Sequence, residues 1–455
     1  MKQNRRDFLK ASALLASFGA MSGVRGENGP EPASRPFTVN EPVLEAPSET
    51  SVGVAWAVSR LSTGAVEIAD NPEMKNARIV KSGGLPLACL DDQSLTVRVT
   101  GLKPATRYWY RTVTQEVISE HNRAASRIHA GERAVGSLHS FVTPGTAAES
   151  RFAVMNDTHA AWKSFAYTSA ALKRGKFPVV IWNGDALNCT DDKEVAVRTF
   201  LDPQVPTKDY ASETPVLWTN GNHDYEGTWA RRMEEVMLAR PVAEHEGEFA
   251  ALKWNFAVRQ GDIALIGLDT GEGLHDDDVR LVGLGSFSPY RQLQAKWLAK
   301  ALERPEIRSA PFVVAFCHIP LWNTGENPFG CEEPRTKGCA SWIRECYESW
   351  GPILDAHRVQ LVVCGHEHYH RWDEDIPRFS WKQVLGGGPE LSIPQWGEKG
   401  NRYYPTLIEG VVENGKLVIR THDVWRNRLV DERTFERRPA HDCRTGGNGP
   451  CGAGR

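Results

Sequence analysis

Five short apolar runs constrain the fold of this chain most, because each ends in residues of the types that bind metal ions. Short apolar runs bounded by polar loops predict strands buried on both faces, and such strands belong to sheets covered by helices. In open α/β sheets a ligand site lies beyond the carboxyl ends of the strands, where residues distant in sequence meet. The runs and the residues at their ends are FAVMNDTH with Asp157 and His159, VVIWNGD with Asp185, VLWTNGNHD with Asn222, His223 and Asp224, VVAFCH with His318, and LVVCGHEH with His366 and His368. The sequence therefore predicts one polar site assembled from five strand ends.

The chain has 455 residues, more than one typical domain, and its pattern changes near residue 150. Between Phe37 and Pro144, short alternating segments separated by turn residues predict an antiparallel sandwich. From Arg151 onward, strands alternate with segments of helical periodicity, which predicts two sheets packed face to face with helices outside. We expect a linker at 27–36, the sandwich at 37–145, the α/β domain at 151–430 and a tail at 431–455.

The first 26 residues place the pair Arg5-Arg6 before Phe8-Leu9-Lys10 and a mildly apolar stretch. This pattern resembles a twin-arginine export signal, with an amphipathic terminal helix or an uncleaved interfacial anchor as the alternative. No later run approaches the ~20 apolar residues that span a bilayer. We therefore expect export by the twin-arginine machinery to the periplasm or the medium, without a transmembrane span. The sequence leaves the oligomeric state open.

The formal net charge of -3 gives no basic excess, so no general affinity for nucleic acid is expected. Nine cysteines in an exported protein favour some disulfides, and the odd number leaves at least one unpaired within a monomer. The candidates for local bridges are Cys331, Cys339 and Cys346 in one loop-rich segment, and Cys443 and Cys451 around a Gly-rich tail.

The strand ends supply, in order, D-x-H, G-D, G-N-H-D, a lone His and G-H-x-H. This set resembles the calcineurin-like metallophosphoesterase superfamily over about residues 151–425. The resemblance implies a four-layer sandwich of two mixed β-sheets flanked by helices. The stretch 101–110, together with Trp56, resembles a fibronectin type III domain, and the whole layout resembles that of purple acid phosphatases.

The resemblance also implies two divalent metal ions per chain, either Mn, Fe or Zn. Their ligands would be Asp157, His159 and His368 for the first ion, Asn222, His318 and His366 for the second, and Asp185 as the bridge between them. Oxygen and imidazole ligands suit these ions, and the absence of thiolates argues against a structural zinc cage. Two such ions neutralise a phosphate and acidify a bound water until it can attack phosphorus as hydroxide.

Two residues of the third motif are candidates for catalysis without binding metal. The resemblance implies that His223 faces the phosphate, stabilises developing charge and protonates the leaving oxygen. Asp224 would orient His223, as carboxylates orient imidazoles elsewhere. A turn or helix-cap role for Asp224 stays open.

Candidate substrate contacts lie next to two of the motifs. His370 and Arg371 follow the last motif, and the planar fork of Arg371 matches a phosphate or carboxylate, although an ordinary salt bridge is an equal alternative. Trp322 follows His318 and would either stack on a substrate ring or pack in the core. The insertion 323–338, rich in Gly, Pro and Cys, is a candidate lid.

Two positions depart from the purple acid phosphatases, whose first motif lacks the His and whose second carries a Tyr ligand three residues after the Gly-Asp aspartate. Here the corresponding residues are His159 and Asn188. No tyrosinate ligand is available, so we predict a colourless or weakly coloured protein.

These observations together predict an exported phosphoesterase that acts on small-molecule mono- or diesters. Two alternatives stay open. An envelope binding protein would use the sandwich for adhesion and the esterase fold as a scaffold, but such a scaffold is expected to lose ligands and none is missing. A nuclease is disfavoured by the absence of a basic excess.

Overall fold

The computed structural model describes residues 37–81, 88–121, 126–238, 247–323, 344–389 and 404–439, all within one compact unit of the chain. The predicted export signal and linker, the insertion after Asn323 and the end of the tail lie outside these residues. Four of the cysteines proposed for local bridges also lie outside them, namely Cys331, Cys339, Cys443 and Cys451.

The N-terminal region folds as an antiparallel sandwich, as its alternating segments predict. Its strands are β1 (Val43–Glu45), β2 (Ser51–Ala57), β3 (Ser62–Ala69), β4 (Arg78–Val80), β5 (Leu90–Asp91), β6 (Ser94–Thr100), β7 (Arg107–His121), β8 (Ser126–Val135) and β9 (His139–Val142). One sheet has the order β4-β3-β7-β8, with β5 paired to β3 and β9 paired to β7. Trp56, Tyr110 and Phe141 fill the core, where indole Nε1 of Trp56 donates to Thr114 Oγ1 at 3.0 Å.

The region after residue 150 alternates strands and helices. Its elements are β10 (Arg151–Met155), α1 (Trp162–Gly175), β11 (Val180–Asn183), α2 (Lys193–Phe200), β12 (Val216–Thr219), β13 (Phe256–Gln260), β14 (Ile263–Gly267), α3 (Phe287–Glu303), α4 (Pro305–Arg308), β15 (Phe312–Phe316), α5 (Arg344–Ala356), β16 (Leu361–Cys364), β17 (Arg371–Asp373), β18 (Lys382–Leu385), β19 (Thr406–Glu413), β20 (Lys416–Asp423) and β21 (Arg428–Phe435). Among the described residues, no helix has both the length and the apolar character needed to cross a membrane.

Two mixed sheets form the centre of this region. The first has the order β21-β20-β19-β10-β11-β12-β1-β2-β6, and the second has the order β13-β14-β15-β16-β18-β17. Within them, β10, β11 and β12 run parallel, as do β14, β15, β16 and β18. Parallel strands place their carboxyl ends at one edge of a sheet, so each sheet gathers its motif residues at one edge.

Apolar side chains bind the layers together. The facing sides of the two sheets share a core that includes Phe152, Ile181 and Phe316. Helices α1 and α2 cover the outer face of the first sheet, and α3 and α5 cover the outer face of the second. Burying one such side chain contributes about 1.5–3 kcal/mol. The predicted four-layer architecture, preceded by an antiparallel β-sandwich, is confirmed.

The sandwich and the α/β region share a sheet, which the sequence did not indicate. Strand β1 pairs in parallel with β12 through Glu45 and Val216, and the amide of Ala46 donates to the Val216 carbonyl at 2.8 Å. Tyr110 of the sandwich adds a hydrogen bond from its hydroxyl to the Ser212 carbonyl at 2.7 Å. Strands β1, β2 and β6 therefore extend the first sheet at its β12 edge.

The carboxyl group of Glu45 is buried at this junction, where it accepts a hydrogen bond from the Leu238 amide at 2.9 Å. Burial raises its pKa from 4.5 to about 8, although the Leu238 amide and Arg98 oppose the shift. Between these pH values the folded state holds a proton that the unfolded state has released. The stability of the protein should therefore fall as pH rises through this window.

We expect Glu45→Gln to remove this pH dependence, because the amide keeps the acceptor for Leu238 and carries no titratable proton. Each pH unit is worth up to ~1.4 kcal/mol, so the variant should be more stable than the wild type at pH 8 by a few kcal/mol. Melting temperatures of both proteins from pH 5 to pH 8 measure the difference. The exposed Glu73→Gln variant is the control, and parallel curves for wild type and Glu45→Gln would contradict the prediction.

Candidate metal centre

The five strand ends meet between the carboxyl edges of the two sheets. Asp157 and Asp185 come from the first sheet, and His318 comes from the second. His318 Nε2 lies 3.0 Å from Asp185 Oδ2 and 3.7 Å from Asp157 Oδ1. His368 Nε2 lies 3.4 Å from Asp157 Oδ1, and His159 Nε2 lies 3.6 Å from Asp185 Oδ2. The site therefore spans both sheets.

The potential ligands form two groups that share one carboxylate. The first group is Asp157, His159, Asp185 and His368, and the second is Asp185, His318 and His366; within each group the ligand atoms lie within 4.8 Å of one another. Asn222 joins the second group, since its Oδ1 lies 2.9 Å from His366 Nδ1. The structure thus brings together all seven residues that the resemblance assigned to metal ions, with Asp185 between the groups.

The backbone at these strand ends adopts a conformation that side-chain-bearing residues rarely take. The φ angles are positive at Asp157 (49°), His159 (47°), Asp185 (51°), His366 (69°) and His368 (58°). Each such residue costs of order 1–3 kcal/mol, and this kind of strain clusters at functional sites. The strained backbone lowers the stability of the fold but directs these five side chains to one place.

Two glycines permit the close approach of the motifs. Gly184 has a φ of 81°, and a Cβ at this position would lie 2.5 Å from His318 Nδ1. A Cβ on Gly221 would lie 2.1 Å from Asp185 Oδ1. The Gly-Asp and Gly-Asn-His-Asp motifs consequently need glycine for contact between the strand ends.

The hydrogen bonds of His318 show that its free nitrogen faces negative charge. Its Nδ1 lies 2.9 Å from the Asn183 carbonyl, which accepts a hydrogen bond from that nitrogen. Its Nε2 is buried, makes no hydrogen bond with any described residue, and faces Asp185 and Asp157. Although burial disfavours the charged ring, these two carboxylates raise the pKa of His318 to about 10. The two carboxylates thus favour positive charge at Nε2. A divalent cation bound by Nε2 and the carboxylates would supply that charge.

The imidazoles of the first group suit a cation as well. The Nε2 atoms of His159 and His368 lie 2.9 Å apart. Burial lowers the pKa of His159 to about 4, so its ring is neutral and can bind metal near neutral pH. Its Nδ1 lies 2.8 Å from Asn188 Oδ1, which fixes the ring orientation. Asn188, at the position where the purple enzymes carry a tyrosine, therefore supports His159; the absence of colour stays a prediction.

His223 lies at the edge of the site and is 35% exposed. Its backbone amide donates to Asp185 Oδ1 at 2.9 Å, and its ring centroid lies 5.0 Å from that of His159. Its Nδ1 lies 3.2 Å from the Asn188 carbonyl and 3.3 Å from Glu226 Oε1. With Nδ1 engaged, Nε2 is the ring nitrogen left for a substrate.

The structure gives Asp224 a different role from the predicted orientation of His223. Its carboxylate accepts hydrogen bonds from the backbone amides of Gly221 at 2.7 Å and Asp185 at 2.8 Å, and it does not contact the His223 ring. Burial, followed by the nearby Asp185 charge, raises the pKa of Asp224 to about 7. Asp224 therefore ties the second and third motifs together, which matches the alternative of a turn role.

Glu226 is the carboxylate that contacts His223, and the sequence reasoning missed it. It follows the motif by two residues and comes directly after the 3₁₀ turn that spans His223–Tyr225. Asn183 and Asn188, which hold His318 and His159, were missed as supporting residues too. Their only sequence signal is that each lies within three residues of Asp185.

The three proposed substrate contacts make internal contacts. Arg371 is buried, forms two hydrogen bonds to Asp373 at 2.8 and 3.1 Å, and also contacts the Tyr369 hydroxyl. Its guanidinium is thus committed to an internal ion pair, the alternative left open by the sequence. His370 Nδ1 lies 3.1 Å from the Leu385 carbonyl. Trp322 is partly buried and packs against Tyr347, with ring centroids 5.7 Å apart.

Comparison with known proteins agrees with this geometry. Residues 150–370 match the family described as calcineurin-like phosphoesterase. The chain is 23% identical over 237 residues to a phosphoenolpyruvate phosphatase of Allium cepa, covering 49% of this chain and 42% of that protein. It is 25% identical over 312 residues to purple acid phosphatase 21 of Arabidopsis thaliana, covering 67% and 58%. The chain spans roughly half the length of these relatives.

Two solved structures share the fold at low sequence identity. A purple acid phosphatase from yellow lupin seeds aligns with a TM-score of 0.60 at 12% identity, covering 88% of this chain and 75% of that one. PhoD aligns with a TM-score of 0.56 at 13% identity, covering 89% and 90%. Residues 150–370 thus match the calcineurin-like phosphoesterase family and contain the His/Asp cluster described above.

Proposed function

We propose that the protein is an exported, two-metal phosphoesterase that hydrolyses small-molecule phosphate mono- or diesters. The observation that supports this most is the pair of ligand groups joined through Asp185, with His223 beside them. The paired arginines near the N-terminus support the export. The first metal ion would be held by Asp157, His159, His368 and Asp185, and the second by Asn222, His318, His366 and Asp185.

When bound, such ions neutralise the phosphate and supply an activated water. The protein residues then have two tasks. The buried carboxylates and imidazoles would hold the two ions away from bulk water, because Asp157, Asp185 and His318 have almost no exposed surface. His223 donates the proton from Nε2 to the leaving oxygen as the bond between phosphorus and that oxygen breaks.

The charge state of His223 suits this task. Burial disfavours its charged form, but the Glu226 and Asp185 carboxylates raise the pKa of His223 to about 9. The ring therefore carries a proton at neutral pH and can give it up in the transition state. Its partial exposure leaves room for the leaving group beside it.

A panel of phosphoester substrates, assayed together with metal analysis of the same sample, tests the proposal. We expect about two metal ions per chain and release of nitrophenol from mono- or bis-nitrophenyl phosphate with Mn or Zn present. Bound metal without turnover of any ester would favour the scaffold alternative. Cleavage of DNA or RNA at rates above those of all small esters would favour the nuclease alternative.

We expect Glu226→Gln to move the alkaline limb of the kcat profile to lower pH. Removing this carboxylate lowers the pKa of His223, so the ring loses its proton at a lower pH and turnover near pH 8 falls roughly tenfold. Glu235→Gln is the control, because it removes one exposed carboxylate that pairs with Arg232 instead. A pH profile of Glu226→Gln that superimposes on the wild type would show that Glu226 does not tune His223.

A further inference from the structure

A cavity of about 850 Å³ opens beside His223, between the turn that carries this residue and the start of α3. Tyr225, Glu226 and Glu272 are among the residues that line it. Glu226 Oε1 lies 3.3 Å from His223 Nδ1, and the charges of His223 and Asp185 both act on Glu272. The cavity wall thus includes a residue that contacts His223, and the cavity volume lies within the range of small-molecule pockets.

The walls of this cavity are largely apolar. Aromatic rings from Trp254, Phe287 and Tyr290 line it together with Tyr225. A short loop adds two aliphatic side chains with high exposure, Val282 at 80% and Leu284 at 61%. Contiguous exposed apolar groups around a concave surface are typical of ligand-binding sites.

The charged groups at the rim are largely paired with one another. Lys253 forms an ion pair with Glu234 at 2.6 Å, and Arg280 forms one with Asp278 at 2.7 Å. Arg231 donates a hydrogen bond to the Leu284 carbonyl at 3.3 Å. The rim therefore presents no surplus of cations that would select a second phosphate or another polyanion.

We propose that this cavity binds an apolar organic group of the substrate, on the leaving-group side of the phosphorus. The inference rests on the proposed function, because His223 can protonate the leaving oxygen only if the group on that oxygen lies next to the His223 ring. Glu226, which contacts this ring, is part of the cavity wall. The substrate class is then phosphate esters of apolar alcohols, either aryl or long-chain alkyl.

Two substrate series test the proposal on the full-length, metal-loaded protein. Ethyl, hexyl and decyl phosphate have leaving groups of similar reactivity and differ in apolar surface, and glycerol phosphate is the polar comparison. Phenyl and 2-naphthyl phosphate form the aryl series. We expect kcat/KM to rise at least ~10-fold from ethyl to decyl phosphate or from phenyl to naphthyl phosphate, as burial of several CH₂ groups implies. The series with the larger rise identifies the type of apolar group.

A matched pair of variants connects the preference to the cavity. Val282→Asp places a charge on the cavity wall and should remove most of the preference, so that kcat/KM for decyl phosphate falls towards that for ethyl phosphate. Val279→Asp adds the same charge to the same loop, at a residue that is 88% exposed and outside the cavity lining, and should behave as the wild type. Calorimetric binding of decylphosphonate should weaken at least ~10-fold in Val282→Asp alone.

The outcomes separate this inference from the proposed function. Equal kcat/KM within both series, with all esters hydrolysed, would overturn the inference and leave the proposed function standing. If no ester is hydrolysed, the proposed function is refuted. Binding of decylphosphonate then tests the cavity by itself. Equal binding by both variants, or no binding by the wild type, would overturn the inference as well.

Discussion

Asp185→Asn is expected to abolish phosphoester hydrolysis and to reduce bound metal. The Asp185 carboxylate belongs to both ligand groups, with Oδ2 3.0 Å from His318 Nε2 and 3.6 Å from His159 Nε2. Burial disfavours the ionised form of this carboxyl, but the nearby His318 ring holds its pKa far below the usual range. The carboxyl is therefore ionised at any pH used in an assay. Substituting a residue that only supports a metal ligand lowers metal affinity or activity about 10–100-fold. Because Asp185 is itself a ligand candidate, its substitution should lower activity by more than ~100-fold.

The isosteric change isolates charge from shape. Asparagine keeps an oxygen that can accept from the His223 amide, now 2.9 Å from Oδ1, so the third motif should stay in place. Metal content per chain and the rise in melting temperature on adding Mn are the direct measurements, since a ligand that binds only the folded state stabilises it. The wild type should show both, and Asp185→Asn should show little of either.

Asp224→Asn serves as the control for this substitution. It also replaces a buried carboxylate by an amide in the same cluster, yet Asp224 contacts backbone amides and belongs to neither ligand group. We expect this variant to retain bound metal. Normal turnover and metal content in Asp185→Asn would refute a bridging role, and metal loss in both variants would show that general disturbance of the cluster is the cause.

Much of the fold was predictable because the relevant patterns are local. Runs such as those ending at Asp185 and His318 are four to five residues long and wholly buried, as expected for strands in covered parallel sheets. Their polar ends lie in order along the chain, so a resemblance between motifs was enough to propose the ligand set. The structure adds the left-handed backbone at the ligands, which residue types alone do not indicate.

Contacts between secondary-structure elements were harder to predict from the sequence. The pairing of β1 with β12 rests on Glu45 and Val216, which are far apart in the sequence and belong to segments predicted as separate domains. The exchange of roles between Asp224 and Glu226 depends on the rotation of one 3₁₀ turn, which spacing does not determine. The ion pair between Arg371 and Asp373 had a signal in the sequence, since residues two apart lie on the same face of a strand.

His223→Ala should lower kcat by roughly 10²–10⁴ while both metal ions remain bound, because His223 supplies a proton and no metal ligand. The ring lies outside both ligand groups, and only its backbone amide contacts Asp185. Alanine keeps that amide, so the geometry of Asp185 should be preserved. His318→Ala provides the contrast, since His318 belongs to the second group and its loss should remove metal.

The dependence on the leaving group distinguishes proton donation from other roles of His223. Nitrophenolate leaves readily without a proton, whereas an alkoxide requires one, so His223→Ala should impair alkyl phosphates more than nitrophenyl phosphate. An equal loss for both substrates would assign His223 to binding the phosphoryl group, since that contact is the same in each ester. Loss of metal in His223→Ala would instead make this histidine a ligand and would require a different source for the proton.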